Sequence, residues 1–239
     1  SVRRFDRLLI GNAELERERA NLSRYFSPNM VEQLSRQDEP LKEMRSHDVA
    51  VLFVDIVGFT QLSEDRDPKE VITLLRDFHQ RMEAEVFRFG GTLDKYLGDG
   101  LMATFGTPLP GEADALAALR CARSMIAALS RWNAERRASG EPEIRGSFGL
   151  HYGPAVLGDI GMNRLEFAVV GNTVNVSSRM EKLTRELGTA LAMTDTAYSM
   201  ACRDASRDDP ALTGLAEMPP QAIRGLAQPV PVWVLRGAQ

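Results

Sequence analysis

The sequence predicts an α+β sandwich, a mostly antiparallel sheet covered on its faces by helices. Three observations predict it. Short apolar runs that meet glycine recur along the chain, as strands ending in turns do. Longer stretches with helical periodicity stand between them. The 239 residues, 44% hydrophobic and 26% charged, suffice to bury one good core with some length left over.

The elements follow in order. Residues 1–37 are charged and helical in pattern: Phe5, Leu8, Leu15, Leu22 and Phe26 fall on a and d positions of a heptad, with Asn12 and Arg19 at the other a positions. This reads as a short parallel coiled coil or as one amphipathic helix packed on its own domain. Ser27-Pro28 opens a second short helix to about Ser35, and the polar residues 36–47 read as a linker. Val49–Val54 is a strongly apolar strand. Pro68 starts a helix that runs to about Phe89 and stops at Gly90-Gly91. Thr92–Leu97 and Leu101–Phe105 pair around Gly98-Asp99-Gly100. Gly111–Ser139 is a long Ala-rich helix. Ile144–Tyr152, Ala155–Ile160 and Leu165–Val170 read as three strands joined by glycine turns. Asn172–Leu187 is a helix ended by Gly188. Leu191–Met193, a short helix and Val230–Leu235 complete the set, and Pro229 and Pro231 place the last strand at an edge.

Charge and composition exclude several classes. A net charge of −4 lacks the basic excess of a nucleic-acid binder. No apolar stretch approaches the roughly 20 residues that span a bilayer, and no signal peptide is visible. Two cysteines, Cys121 and Cys202, do not make a disulfide framework and suit a reducing cytoplasm. The chain begins at Ser1 without methionine, which reads as a piece of a longer protein or as a trimmed N-terminus.

Three segments carry chemistry. In Phe53-Val-Asp-Ile-Val-Gly-Phe-Thr60 and Leu97-Gly-Asp-Gly100, one aspartate stands where an apolar run meets glycine. Asp55 and Asp99 at neighbouring strand ends can share divalent cations, which take one or two carboxylates plus substrate phosphates. Alone, Asp55 reads equally as a cap. The loop after it, with Gly58 at a close backbone approach and Thr60 opening a short helix, offers amides to an anion. Lys95 is either a surface ion-pair partner or a donor to a base or phosphate. In the third segment, Val170 to Met180, Asn175 and Arg179 are four residues apart on one helix face. Asparagine there can orient a hydroxyl, and arginine can fork onto phosphate oxygens. His151, followed by Tyr152 and Gly153, reads as structural.

Taken together, FVDIVGFT, KYLGDG, GLHYGPAVLGDIG and VGNTVNVSSRM stand in an order and at separations that resemble the class III nucleotidyl cyclase catalytic domain over about residues 46–236. The stretch Gly158–Phe167 is similar to the bacterial, soluble-cyclase-like subgroup, class IIIb. The resemblance implies a palm-type, ferredoxin-like sandwich over 46–239, with 1–45 as a helical signal-transducing segment. It implies that Asp55 and Asp99 ligate two Mg²⁺ or Mn²⁺ ions with help from the Ile56 carbonyl, and that the backbone of Val57, Gly58, Phe59 and Thr60 cradles the β- and γ-phosphates. Lys95 would read adenine, Asn175 orient the ribose, and Arg179 stabilise charge at the α-phosphoryl group; Arg224 would contact phosphate. It further implies ATP as substrate, a homodimer with two interfacial sites, and an upstream sensor. One chain would give the aspartates, and the other Lys95, Asn175 and Arg179.

One position departs from the pattern. Seven residues before Asn175, where the adenine-reading lysine usually has an Asp or Thr partner, stands Ala168, which has no side-chain hydrogen bond to offer. Lys95 favours ATP, and Ala168 leaves room for a guanylyl or dual-specificity cyclase. A catalytically silent cyclase-like module is the reading from another class, disfavoured by the presence of Asp55, Asp99, Asn175 and Arg179. A diguanylate cyclase would need a Gly-Gly-Glu/Asp-Glu-Phe signature, which is missing.

Overall fold

β1, Arg45–Ile56, organises the sheet because both of its faces are apolar. Ala50, Leu52, Val54 and Ile56 face the main core, while Val49 and Val51 join Met102, Leu157 and Val169 on the opposite face. A strand buried on both sides reads as a continuous apolar run, which is why this one was legible. The computed structural model describes residues 44–160, 166–224 and 226–237, with positions 16, 17, 20, 23 and 31. The predicted coiled coil and the short helix at 27–35 lie outside the described residues as elements. Residues 45–47, expected in the linker, belong to β1 and pair with β4.

After β1 come α1 (Phe59–Glu64), α2 (Pro68–Arg88), β2 (Thr92–Leu97), β3 (Gly100–Phe105) and α3 (Asp114–Ala138). Then follow β4 (Gly146–Ile160), β5 (Glu166–Val170), α4 (Asn172–Leu187), β6 (Leu191–Thr194), α5 (Asp195–Asp204), a 3₁₀ turn at Pro210–Leu212, β7 (Leu215–Gln221) and β8 (Val230–Leu235). The sheet order is β2-β3-β1-β4-β6-β8-β7, with β5 hydrogen-bonded to β4. Every pairing is antiparallel except β4 with β6. The α+β expectation holds. α2, α3 and α5 cover one face over a core that includes Phe78, Met82, Leu119, Met125, Phe105 and Phe148. On the other face α4 packs Val176 and Met180 against Ala192, Val232 and Val234.

α2 ends as expected. Asp67 caps it by accepting from the Lys69 amide at 2.7 Å, Pro68 occupies the first position, and Gly90 takes a φ of 73° just past the end.

Three expectations are corrected. Ile144–Tyr152 and Ala155–Ile160 are not two strands around a glycine turn; β4 runs unbroken from Gly146 to Ile160, and Gly153 and Pro154 stay in register opposite Val49 and Asp48. Gly153 serves a close approach instead: a Cβ there would lie 2.9 Å from Thr173 Oγ1 at the start of α4. The Leu215–Gln221 stretch, to which the sequence reading assigned no element, is strand β7. It takes the edge that was expected for β8, which lies between β6 and β7. The β7 prolines, Pro219 and Pro220, are tolerated because the β7–β8 ladder is irregular between Met218 and Gln221, opposite Pro231, and β6 pairs with β8 only as far as Val232.

Candidate active site

Asp55 is the penultimate residue of β1, and Asp99 lies in the turn between β2 and β3. β3 pairs with β1 up to Val54↔Leu101, so that turn closes over the end of β1. Gly100 makes the approach possible: a Cβ there would sit 2.3 Å from the Val54 carbonyl oxygen and 2.9 Å from Asp55 Oδ1. Asp99 lies close enough to Asp55 that its charge acts on the Asp55 carboxyl. Burial, then the neighbouring Asp99 and Glu181, pushes the Asp55 carboxyl up to about 6, against the pull of Arg185.

This pair suits a divalent cation. Two neighbouring carboxylates resist ionising together, and a cation between them removes that penalty. Among the described residues no group of three or more His, Cys, Asp or Glu side chains is placed to hold a metal. A two-carboxylate donor set fits an ion such as Mg²⁺, which completes its shell with water and phosphate oxygens.

Ile56 is the last ladder residue, opposite Gly146. The Val57 amide donates to the Arg145 carbonyl at 2.8 Å. Gly58 caps α1 in the left-handed region at φ 71°, and a Cβ there would meet nothing within 4 Å. Backbone conformation rather than close approach explains this glycine. Phe59 and Thr60 open α1, where first-turn amides lack helical partners.

α4 supplies the second group of residues. Ser177 Oγ lies 2.6 Å from the Val51 carbonyl and 3.0 Å from that of Gly149, which pins the helix to β1 and β4. Gly149 lets it lie that low, since a Cβ would come 2.1 Å from the Glu181 amide nitrogen. The helix begins beside Pro154, whose carbonyl accepts from Thr173 Oγ1 at 2.7 Å, and its last turns reach Asp55. Asn175 is exposed near the start of α4, and one turn on Arg179 donates to the Arg224 carbonyl. Arg179 and Arg224 are therefore brought together. Asn175 is ten residues before Arg185, the α4 residue that touches Asp55, or roughly 15 Å along the axis. Within one chain, then, Asn175 sits well along the helix from the end that meets the aspartates.

Lys95 lies on β2 just after a register shift between Leu93 and Lys95, with Nζ 3.3 Å from Asp94 Oδ2. Ala168 is buried in β5 opposite Gly158. His151 is structural, as expected: it is buried, Nδ1 lies 2.7 Å from Thr194 Oγ1, and burial lowers its pKa to about 4. Cys121 is a buried free thiol that burial pushes well above its ordinary range, and Cys202 is also free.

Sequence reasoning missed Arg185, Glu181, Ser147 and His79. Arg185 Nη2 lies 2.9 Å from Asp55 Oδ2 and 3.2 Å from Glu181 Oε1, and Ser147 Oγ donates to the same Glu181 oxygen. The i, i+4 spacing of Glu181 and Arg185 was the available signal. His79 stacks on Tyr96 at 4.5 Å, and the Tyr96 hydroxyl donates to Glu83 at 2.9 Å.

The sequence model of the "Adenylate and Guanylate cyclase catalytic domain" family matches residues 41–214. "Adenylate cyclase 1" of Rhizobium meliloti is 35% identical over 171 residues, covering 71% of this chain and 26% of that protein. The chain thus spans about a quarter of that relative's length. Among solved structures, the adenylyl cyclase CyaB from P. aeruginosa superposes with a TM-score of 0.71 at 26% identity, covering 82% of this chain and 97% of that one. The guanylyl cyclase Cya2 superposes with a TM-score of 0.68 at 29% identity, covering 83% and 95%. Among the described residues no helix is long and apolar enough to cross a membrane.

Proposed function

Since the chain belongs to the adenylate and guanylate cyclase catalytic domain family, we propose that it is an adenylyl cyclase converting ATP to 3′,5′-cyclic AMP and pyrophosphate. The observation that carries this reading is the placement of Asp55 at the end of β1 under the Asp99 turn, where Gly100 packs on Asp55, with α1 opening just after β1. Asp55 and Asp99 would hold two Mg²⁺ or Mn²⁺ ions per site. When bound, the ions lower the pKa of the ribose 3′-hydroxyl and neutralise the triphosphate. The amides of Gly58, Phe59 and Thr60 grip phosphate oxygens at the helix start. Asn175 orients the ribose for attack of O3′ on the α-phosphorus, in line with the leaving pyrophosphate. Arg179 leaves the Arg224 carbonyl and donates to the α-phosphoryl oxygens as their charge grows, with Arg224 on the phosphates. Lys95 reads the adenine edge.

The site is completed by a second copy of the chain. The roughly 15 Å between Asn175 and the Asp55 end of α4 supports this, as does the exposure of Val156 and Val170, paired across β4 and β5. A guanylyl or dual-specificity reading draws on Ala168, which offers the base no side-chain hydrogen bond. The placement of 46–239 as the catalytic unit, the signalling role of residues 1–45, the upstream sensor and the cytoplasmic setting belong to the same proposal.

Incubation with Mn²⁺ and either ATP or GTP, with detection of cyclic product, tests the reaction. Cyclic AMP in excess over cyclic GMP is expected, and no product from either nucleotide refutes the enzyme. Asp55→Ala and Asn175→Ala are each expected to be inactive, and mixing them to restore part of the activity. Mixed dimers without rescue would place the whole site in one chain.

A further inference from the structure

We propose that Arg185 is a built-in counter-ion of the aspartate pair, holding Asp55 in the cation-free protein and competing with the divalent cation for it. The inference rests on the metal reading above. Arg185 Nη2 reaches Asp55 Oδ2 at 2.9 Å, a charge-assisted hydrogen bond at the carboxylate a cation would take. The same nitrogen lies 3.2 Å from Glu181 Oε1, one helical turn back. Glu181 is itself fixed: its side chain is 7% exposed and the same oxygen accepts from Ser147 Oγ. The guanidinium therefore keeps a second, permanent anchor when Asp55 turns to a cation. Its 47% exposure leaves room for that swing.

Charge decides the direction of the effect. Asp55 and Glu181 place two carboxyl groups on one guanidinium, whose fork of donors carries a positive charge. A divalent cation approaching Asp55 meets that positive charge and must break the ion pair to bind. Arg185 thus raises the cation concentration at which the site fills.

The test is direct Mn²⁺ binding to the folded chain without nucleotide, read from the electron paramagnetic resonance of free Mn²⁺ in a titration into the millimolar range. Arg185→Gln removes the charge and keeps an amide, and is expected to bind Mn²⁺ roughly two- to fivefold more tightly, the range of a half-exposed ion pair. Arg185→Lys keeps the charge but loses the fork, and is expected to fall between wild type and Arg185→Gln. Asp55→Asn is the control that removes the site. Unchanged or weaker Mn²⁺ binding in Arg185→Gln overturns the proposal and makes the arginine a strut or a phosphate contact. If circular dichroism shows that variant unfolded, Arg185→Lys decides alone, and an affinity equal to or below wild type overturns it. Cyclic nucleotide formation by a protein whose Mn²⁺ affinity ignores Arg185 defeats this inference only. Tighter binding in Arg185→Gln without any cyclic product defeats the cyclase reading only. Failure of the wild type to bind Mn²⁺ defeats both.

Discussion

Asp55 is held at a cost that the fold bears when no cation is present. Its folded pKa of about 6 exceeds the ordinary value of 3.8, so the folded state binds the proton more tightly than the unfolded chain. The sign follows: the penalty is absent below pH 3.8 and complete above 6. In EDTA at pH 7.5, Asp55→Asn is expected to raise stability by about 1 kcal/mol, discounted for partial exposure, and urea denaturation checks it. His151 has the opposite sign. Its pKa near 4 lies below the ordinary 6.5, so its share of stability is complete above 6.5 and is lost as the pH falls through 4. That limb is worth about 2–3 kcal/mol. His151→Gln is expected to flatten it in denaturation curves between pH 4 and 7. The aspartates were legible in the sequence because glycines at fixed places surround them. Arg185 was not, because an arginine in the last turns of a polar helix looks the same whether it faces water or a carboxylate on another strand.

At the scale of elements, glycine carried two meanings that a single sequence does not separate. Gly90 and Gly188 close helices with positive φ, and both ends were read correctly. Gly149 and Gly153 sit inside a strand for a different reason, the closeness of α4. A Cβ on Gly149 would lie 2.1 Å from the Glu181 nitrogen and 2.5 Å from the Ser177 carbonyl oxygen, both backbone atoms that cannot step aside. Gly149→Ala is therefore expected to lift α4 off β4 and cost about 3 kcal/mol, measured by urea denaturation. The same shift moves Asn175 and Arg179, so turnover should fall further than stability accounts for. β7 escaped sequence reading because two prolines mask a strand that an irregular ladder at the sheet edge tolerates.

At the scale of the molecule, one face of the sheet is unfinished. Val170 is 59% exposed and Val156 46%, paired with each other across β4 and β5. An apolar patch of this kind marks an interaction surface. Val170→Glu is expected to shift sedimentation toward the monomer at low micromolar concentration and to lower cyclase activity at least tenfold. The sequence could state the chemistry of this face through its motifs, but the distance between its halves became visible only with α4 laid along β4. That distance has a consequence for kinetics. α4 is a rod of 16 residues, about 24 Å long. In the proposed twofold pair each rod would have one end in each reaction centre, so that nucleotide held by Asn175 and Arg179 in one would pull on the rod whose far end bears on the other. On that proposal the velocity curve against ATP is expected to be cooperative, with a Hill coefficient away from one that returns toward one when Arg185→Gln frees the far end.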